Sequence, residues 1–355
     1  MFVLSALAAF SARRHLAQTN TGVRSIKLDG AWIIAVFAMT LLIGFRIEVG
    51  ADWVNYVRYV YDARYAPFSS ILQGNDPGYQ FLNWLSAYMN WDIYGVNLIG
   101  GVIFSSGLAV FCRSLPRPWL ALAVAVPYLV IVVAMGYSRQ GIALGLAMLG
   151  LVALGRRKAG WFVFWVVLGA TFHKSAVILL PVAAMTATRN RNWTALWVGI
   201  AAVAAYFLLL EDSVDELRTN YLEGELFQSQ GAMIRLLMNA LPAGILLLWQ
   251  RKFDFARAEA LLWRWFAIIS LVLLAVYLVT RASTAVDRVA LYMLPLQLVV
   301  FSHLPDVLGQ RGKRNEVIVA GVIFYYAAAQ FVWLNFAAHS SAWLPYRFYP
   351  AEAWF

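Results

Sequence analysis

The 355-residue chain contains one cysteine, Cys112, and it lies inside an apolar run, so an intramolecular disulfide framework and a cysteine-based metal site are both excluded. Charge is scarce too. Only 13% of the residues are charged and 62% are hydrophobic, against about a quarter charged and about half apolar in a soluble domain. With a mean hydropathy of +0.68, the chain presents more apolar surface than water can solvate, which excludes a soluble globular protein. The net charge of +10 does not come from an aromatic-interleaved basic face. Lys and Arg are spaced between apolar segments, so the sequence predicts no nucleic-acid partner. The basic balance is a topology signal.

What the sequence has in quantity is apolar runs and aromatics. The 15 Trp, 17 Tyr and 22 Phe gather at the ends of apolar runs, where amphipathic rings anchor at headgroup depth. Crossing about 30 Å of hydrocarbon takes about 20 residues. Clear runs occupy 31 to 48, 96 to 112, 118 to 135, 139 to 154, 193 to 210, 233 to 250, 261 to 280, 285 to 302 and 316 to 336. Residues 1 to 12, followed by Arg13 and Arg14, read as a retained partial helix without a small-residue cleavage site. The fold class expected is all-α: a polytopic integral membrane protein of about 12 transmembrane or half-membrane helices forming a single domain over 1 to 355.

Residues 160 to 188 are too long for one span and too short for two, and both flanks are basic: Arg156, Arg157 and Lys158 before, Arg189 and Arg191 after. The positive-inside rule makes them a short helical hairpin with His173 at its tip. With the other segments alternating, 18 of the 28 basic residues but only five of the 18 acidic ones face the cytoplasm. The loop from 49 to 95 and an acidic loop at 211 to 232 fall on the other side, with both termini. So do Arg139, Gln140, His173, Lys174, Arg235, Arg281, Asp287 and Arg288.

Those outward cations carry the functional reading. Arg139, Arg235 and Arg288 sit at or just inside helix ends, where a charge costs a few kcal/mol unless it snorkels, pairs or lines a wet cavity. Snorkelling to headgroups is the alternative for any one of them. Together with Asp52, Asp76 and Asp287 they suit a site open to lipid and to outer water, in which arginine forks hold the oxygens of a lipid-linked pyrophosphate. Fixed charges in a partly dry site stabilise a departing pyrophosphate without reorganisation. Asp52 and His173 are the outward groups suited to taking a proton from an acceptor hydroxyl; an ion pair for Asp52 and a capped turn for His173 are the structural alternatives. In the 49 to 95 loop, Trp53, Tyr56, Val57 and Val60 fall at helical spacing, which predicts an interfacial helix. Asn75-Asp76-Pro77-Gly78-Tyr79 reads as a turn. Trp53, Tyr56, Tyr61, Tyr79 and Trp343 suit either sugar stacking or the aromatic belt.

These residues carry a resemblance. Gly50-Ala51-Asp52-Trp53 with Tyr56, Asp76-Pro77-Gly78-Tyr79, Arg139-Gln140-Gly141-Ile142-Ala143, Phe172-His173-Lys174-Ser175-Ala176 and Asp287-Arg288 with Tyr292 follow in order across roughly 45 to 295. In that order and spacing the chain resembles EpsG-like proteins, which belong with the Wzy-type bacterial polysaccharide polymerases. It departs from the family pattern at Asp76, where Glu is common, and at Asp287, where Gly often precedes Arg. The resemblance implies a metal-independent, cofactor-free glycosyltransferase of the bacterial inner membrane. Such an enzyme takes undecaprenyl-pyrophosphate-linked oligosaccharides as donor and acceptor and joins repeat units on the periplasmic side, with membrane lipid around it and a flippase and a chain-length regulator as partners. It assigns Arg139, Arg235 and Arg288 to pyrophosphate, Asp52 or His173 to acceptor activation, and Gln140, Tyr79, Lys174 and Asp76 to substrate contacts, Arg139 also counting as catalytic. Two other classes compete. A flippase or exporter of lipid-linked sugars also needs a cationic cavity, but one that alternates between sides. A membrane acyltransferase with His173 as base lacks a visible dyad, since His15, His303 and His339 fall elsewhere.

Overall fold

A computed structural model describes residues 1–11, 29–69, 76–186, 193, 196, 199–200, 231–279 and 283–352. The helices in chain order are α1 (Phe2–Ser11), α2 (Gly30–Gly44), α3 (Trp53–Ala63), α4 (Pro77–Tyr88), α5 (Asp92–Ser114) and α6 (Pro118–Ala125), which continues as a π-helical stretch, Val126–Ala134. Next come α7 (Ser138–Gly155), α8 (Ala159–Ala170), a 3-10 stretch Lys174–Leu179 and α9 (Leu180–Thr186). The last are α10 (Ala232–Trp249), α11 (Arg257–Val279), α12 (Ser283–Leu291), α13 (Pro295–Leu308), α14 (Glu316–Phe336) and the short α15 (Tyr349–Glu352). Two strands of two residues, β1 (Arg46–Ile47) and β2 (Arg347–Phe348), pair antiparallel.

The protein is an all-helical membrane protein. Among the described residues, six stretches are long and apolar enough to cross a bilayer: Asp92–Ser114, Ser138–Gly155, Ala232–Lys252, Arg257–Val279, Val286–Leu308 and Glu316–Phe336. Gly30–Gly44, Pro118–Ala134, Ala159–Ala170 and Lys174–Ala183 are shorter apolar helices. These six spans and four shorter apolar helices are the part of the expected set of about 12 transmembrane or half-membrane helices that falls among the described residues. The run at 31 to 48 ends early because the chain turns after Gly44 into β1, leaving 15 helical residues that rise only about 22 Å. Most of the run at 193 to 210, Arg281 and nearly all of the acidic loop at 211 to 232 lie outside the described residues. The 49 to 95 stretch holds α3 and α4. The 160 to 188 stretch holds most of α8, a turn at Thr171–His173, the 3-10 stretch and α9.

Packing follows what lipid allows. Lipid tails are as apolar as Leu, so helices associate where small residues let backbones touch and where polar side chains bridge. The pair α5 and α7 touches at Gly107 and Gly145: a Cβ on Gly145 would lie 2.6 Å from Phe104 Cα, and one on Gly107 would collide with the Gly145 carbonyl. A buried polar chain joins the second half of the bundle. Asn239 on α10 donates to the Ala290 carbonyl at 2.8 Å, Gln297 on α13 donates to Asn239 at 2.8 Å, and Tyr326 on α14 donates to Gln297 at 2.6 Å. In a medium without water each such group needs a protein partner.

The loops divide between the bundle's two ends. At one end Arg117 pairs with Asp306 at 3.0 Å and donates to the carbonyls of Lys313 and Arg314, while Arg311 donates to the Lys252 carbonyl. At the other end the chain after α14 folds back across the bundle. Gly50 N–H donates to the Ala342 carbonyl at 2.8 Å, Tyr349 N–H to the Phe45 carbonyl at 2.8 Å, and the Trp343 indole to the Ile131 carbonyl at 2.8 Å. This second end gathers the start of α7, the hairpin tip and the helices α3 and α4.

Candidate functional site

Arg139 is the second residue of α7, where a long side chain reaches past the helix end. It is held from two directions. Its Nη1 donates to Asp76 Oδ2 at 2.9 Å, and its guanidinium carbon lies 5.6 Å from the centroid of the Tyr59 ring, a cation–π contact. Tyr56, Tyr59 and Tyr79 pack on one another with ring centroids 5.9 to 6.5 Å apart, so α3 and α4 together form the wall behind Arg139. The Arg139 side chain keeps 33% of its surface exposed, whereas that of Asp76 keeps 4%.

Asp76 joins three elements. It stands at the N-terminal cap position of α4 with φ +57°, a left-handed conformation that Asp tolerates better than most residues; Pro77 then fixes the first helical φ. Its Oδ2 holds Arg139 and its Oδ1 accepts the Lys174 backbone N–H at 3.1 Å. Burial raises its pKa, and Arg139 and the Lys174 N–H oppose that shift. Beside it Gly78 N–H donates to the Thr171 carbonyl at 2.8 Å. A Cβ on Gly78 would collide with the Thr171 hydroxyl and come within 3.1 Å of that carbonyl, so α4 can seat on the hairpin tip only with glycine there.

His173 caps the 3-10 stretch. Its Nδ1 accepts the Ser175 N–H at 3.4 Å and lies 2.5 Å from Ser175 Oγ, which is in turn 3.3 Å from the Tyr292 hydroxyl. At this turn, between the two short helices, burial pushes the imidazole pKa down to about 3, and the charges of Arg139, Arg288 and Lys174 add to the shift. Three positive charges, from α7, α12 and the hairpin, therefore act on one ring.

Arg288 is exposed, but its place is fixed through its neighbours. Gln140 Nε2 donates to the Arg288 carbonyl at 2.8 Å, and the adjacent Asp287 takes both arms of the Arg235 guanidinium, with Arg235 Nη1 donating to the Tyr128 hydroxyl at 2.9 Å. Arg235 is 5% exposed and its charge is balanced by Asp287. It and Gln140 anchor the helix that carries Arg288.

Asp52 precedes α3 at its N-cap position without a side-chain cap bond, and among the described residues its carboxylate makes no ion pair. Its charge acts on Tyr56, whose ring abuts Tyr79. Of the predicted site residues, Asp76 holds Arg139 and the Lys174 N–H, the charges of Arg139, Lys174 and Arg288 act on His173, Tyr79 packs in the tyrosine wall, and Asp52 acts on Tyr56 of that wall. Gln140 and Arg235 act through α12.

Two members escaped sequence reasoning. Tyr59, the cation–π partner, is three residues after Tyr56, a spacing that shares a helix face. Arg46 sat unnoticed near the end of an apolar run. It is fully buried, donates to Asn97 Oδ1 at 3.0 Å and Ser138 Oγ at 2.7 Å, and lines a small cleft between α2, α5 and α7. A charged residue inside an apolar run was the available signal. Among the described residues no three His, Cys, Asp or Glu side chains gather as metal ligands would.

The profile of the EpsG family matches residues 31–348. No curated protein matches the chain, and no solved structure does.

Proposed function

The chain belongs to the EpsG family, which implies a polysaccharide-polymerase-like function in exopolysaccharide biosynthesis, and from that premise we propose that it joins undecaprenyl-pyrophosphate-linked oligosaccharide repeat units on the periplasmic side of the bacterial inner membrane. The observation that carries this reading is the convergence of Arg139, Arg288 and Lys174 on His173 at one end of the bundle. The opposite end collects short basic loops held by Arg117, as a cytoplasmic face does.

A pyrophosphate bound there meets cations already in position. Arg139 is held by Asp76 and Tyr59 before any ligand arrives, so it needs no reorganisation as charge grows on the leaving oxygens. Arg288 and Lys174 supply the remaining charge. Arg235 takes the supporting role of holding Asp287, and through it α12. The base for the acceptor hydroxyl is Asp52, the one carboxylate of the site that no cation among the described residues holds. The exposed rings of Tyr61 on α3 and of Phe81 and Tyr88 on α4 suit the entry of a polyprenyl-linked sugar from the outer leaflet.

The test is reconstitution of the purified protein into liposomes with lipid-linked repeat units, in the presence of a chelator. Ladders of longer glycan that disappear in Arg139→Ala are expected. Substrate moving between leaflets without any ladder would replace this reading with that of a transporter.

A further inference from the structure

We propose that His173 is a neutral hydrogen-bond donor that presents Nε2–H to the departing pyrophosphate and does not take the acceptor's proton; this rests on the polymerase reading and assigns a role within it.

The argument begins with Nδ1. A backbone N–H can only donate, and that of Ser175 is directed at His173 Nδ1, 3.4 Å away. Nδ1 therefore presents its lone pair. The Ser175 hydroxyl lies 2.5 Å from the same nitrogen and donates to the Tyr292 hydroxyl 3.3 Å away. The backbone donor on Nδ1 leaves the proton of a neutral imidazole on Nε2.

Charge points the same way. In many histidine bases a carboxylate orients the ring and stabilises the imidazolium that forms. Among the described residues none acts on this ring. Asp76 is next door, but its two oxygens hold Arg139 and the Lys174 N–H. What does act on the ring is burial, followed by the positive charges of Arg139, Arg288 and Lys174. Those cations oppose an imidazolium and attract an anion, and Nε2–H is the ring's remaining polar group toward such an anion.

The transfer step balances with this division of labour. The acceptor hydroxyl oxygen attacks the anomeric carbon of the donor sugar. The bond from that carbon to the pyrophosphate oxygen breaks, and its electron pair stays on the oxygen. The hydroxyl proton passes to the Asp52 carboxylate and from there to water. The Nε2 hydrogen remains on His173 throughout, bonded to the oxygen that gains charge.

Glutamine separates donor from base, because its amide N–H reaches roughly where Nε2–H stands and has no basicity. In the liposome assay with undecaprenyl-pyrophosphate-linked oligosaccharide, His173→Ala is expected to lower kcat about 10²- to 10³-fold, as loss of one oxyanion donor does. His173→Gln is expected to stay within about tenfold of wild type. A well-folded H173Q as inactive as H173A, or an H173A as active as wild type, overturns the assignment. The nitrogen-15 spectrum of the wild-type imidazole, assigned through the unique Phe172–His173 peptide, gives a reading independent of turnover: a proton on Nε2 supports the proposal and a proton on Nδ1 overturns it. Wild-type protein that makes no ladder is a different failure, which removes the polymerase reading and this role with it.

Discussion

Arg139 and Asp76 are 63 residues apart in sequence and meet at 2.9 Å, with the Asp76 carboxylate sealed against solvent and the arginine partly open. That pair turns a cation at a helix end into a fixed element of a site. Replacing Arg139 by Lys keeps the charge and loses the planar fork. We expect R139K to retain folding, judged by yield and monodispersity in detergent, and to lose at least about 10²-fold in polymer formation, with R139A lower still. Full activity in R139K would show that the fork is unimportant.

Asp287 and Arg235 make the buried counterpart. Removing one member of a buried pair leaves an isolated charge and costs about 3–5 kcal/mol, whereas replacing both by apolar residues is often tolerated. Arg235→Met and Asp287→Leu are each expected to lower the detergent unfolding temperature, and the double variant to recover most of it. A recovered double variant that still polymerises assigns Arg235 to support. If it is folded but dead, Arg235 touches substrate.

Gly78 sets the distance between α4 and the hairpin tip. Gly78→Ala pushes Thr171 away and with it the Lys174 N–H that Asp76 accepts. A displacement of about 1 Å is enough to cost about 10²-fold in rate. The expected signature is a large fall in kcat with little change in unfolding temperature; an unchanged kcat would separate the α4 and hairpin contact from the chemistry.

Asp52 makes no ion pair among the described residues, so its removal should leave the fold alone. Asp52→Asn is expected to reduce kcat by about 10²- to 10⁴-fold, the usual contribution of a general base, with partial activity in Asp52→Glu. Wild-type turnover by D52N would end its candidacy.

His173 also predicts a pH dependence. Its folded-state pKa, about 3, lies below the ordinary 6.5, so between those values the unfolded chain binds a proton that the folded chain does not. Stability therefore falls as pH drops from 6.5 toward 3 and is insensitive to this residue above 6.5. Unfolding temperatures measured from pH 7 to pH 4 should decline more steeply in wild type than in H173Q. Parallel curves would mean that the ring is not held neutral.

The sequence by itself determined the solvent, the helical class and the family. Lipid leaves a chain few backbone solutions, so the apolar runs and the spacing of basic residues between them were enough to reveal a polytopic membrane protein. The motifs around Asp52, Asp76, Arg139, His173 and Asp287 carried the resemblance because their residue types and order are local in the chain. Tertiary structure decided which of these residues work together. Arg139, Arg235 and Arg288 looked alike as cations at helix ends. Only packing gave Arg235 to Asp287, Arg139 to Asp76 and Tyr59, and Arg288 to a carbonyl contact from Gln140. His173 and Asp52 looked equally suited as bases, and only the ring's contact with Ser175 and its three neighbouring cations distinguished them. The physical reason is common to all of them. A side chain's chemical type is written at its own position, whereas its charge state, partners and direction depend on groups brought close by folding, here from as far as 148 residues away between Gln140 and Arg288.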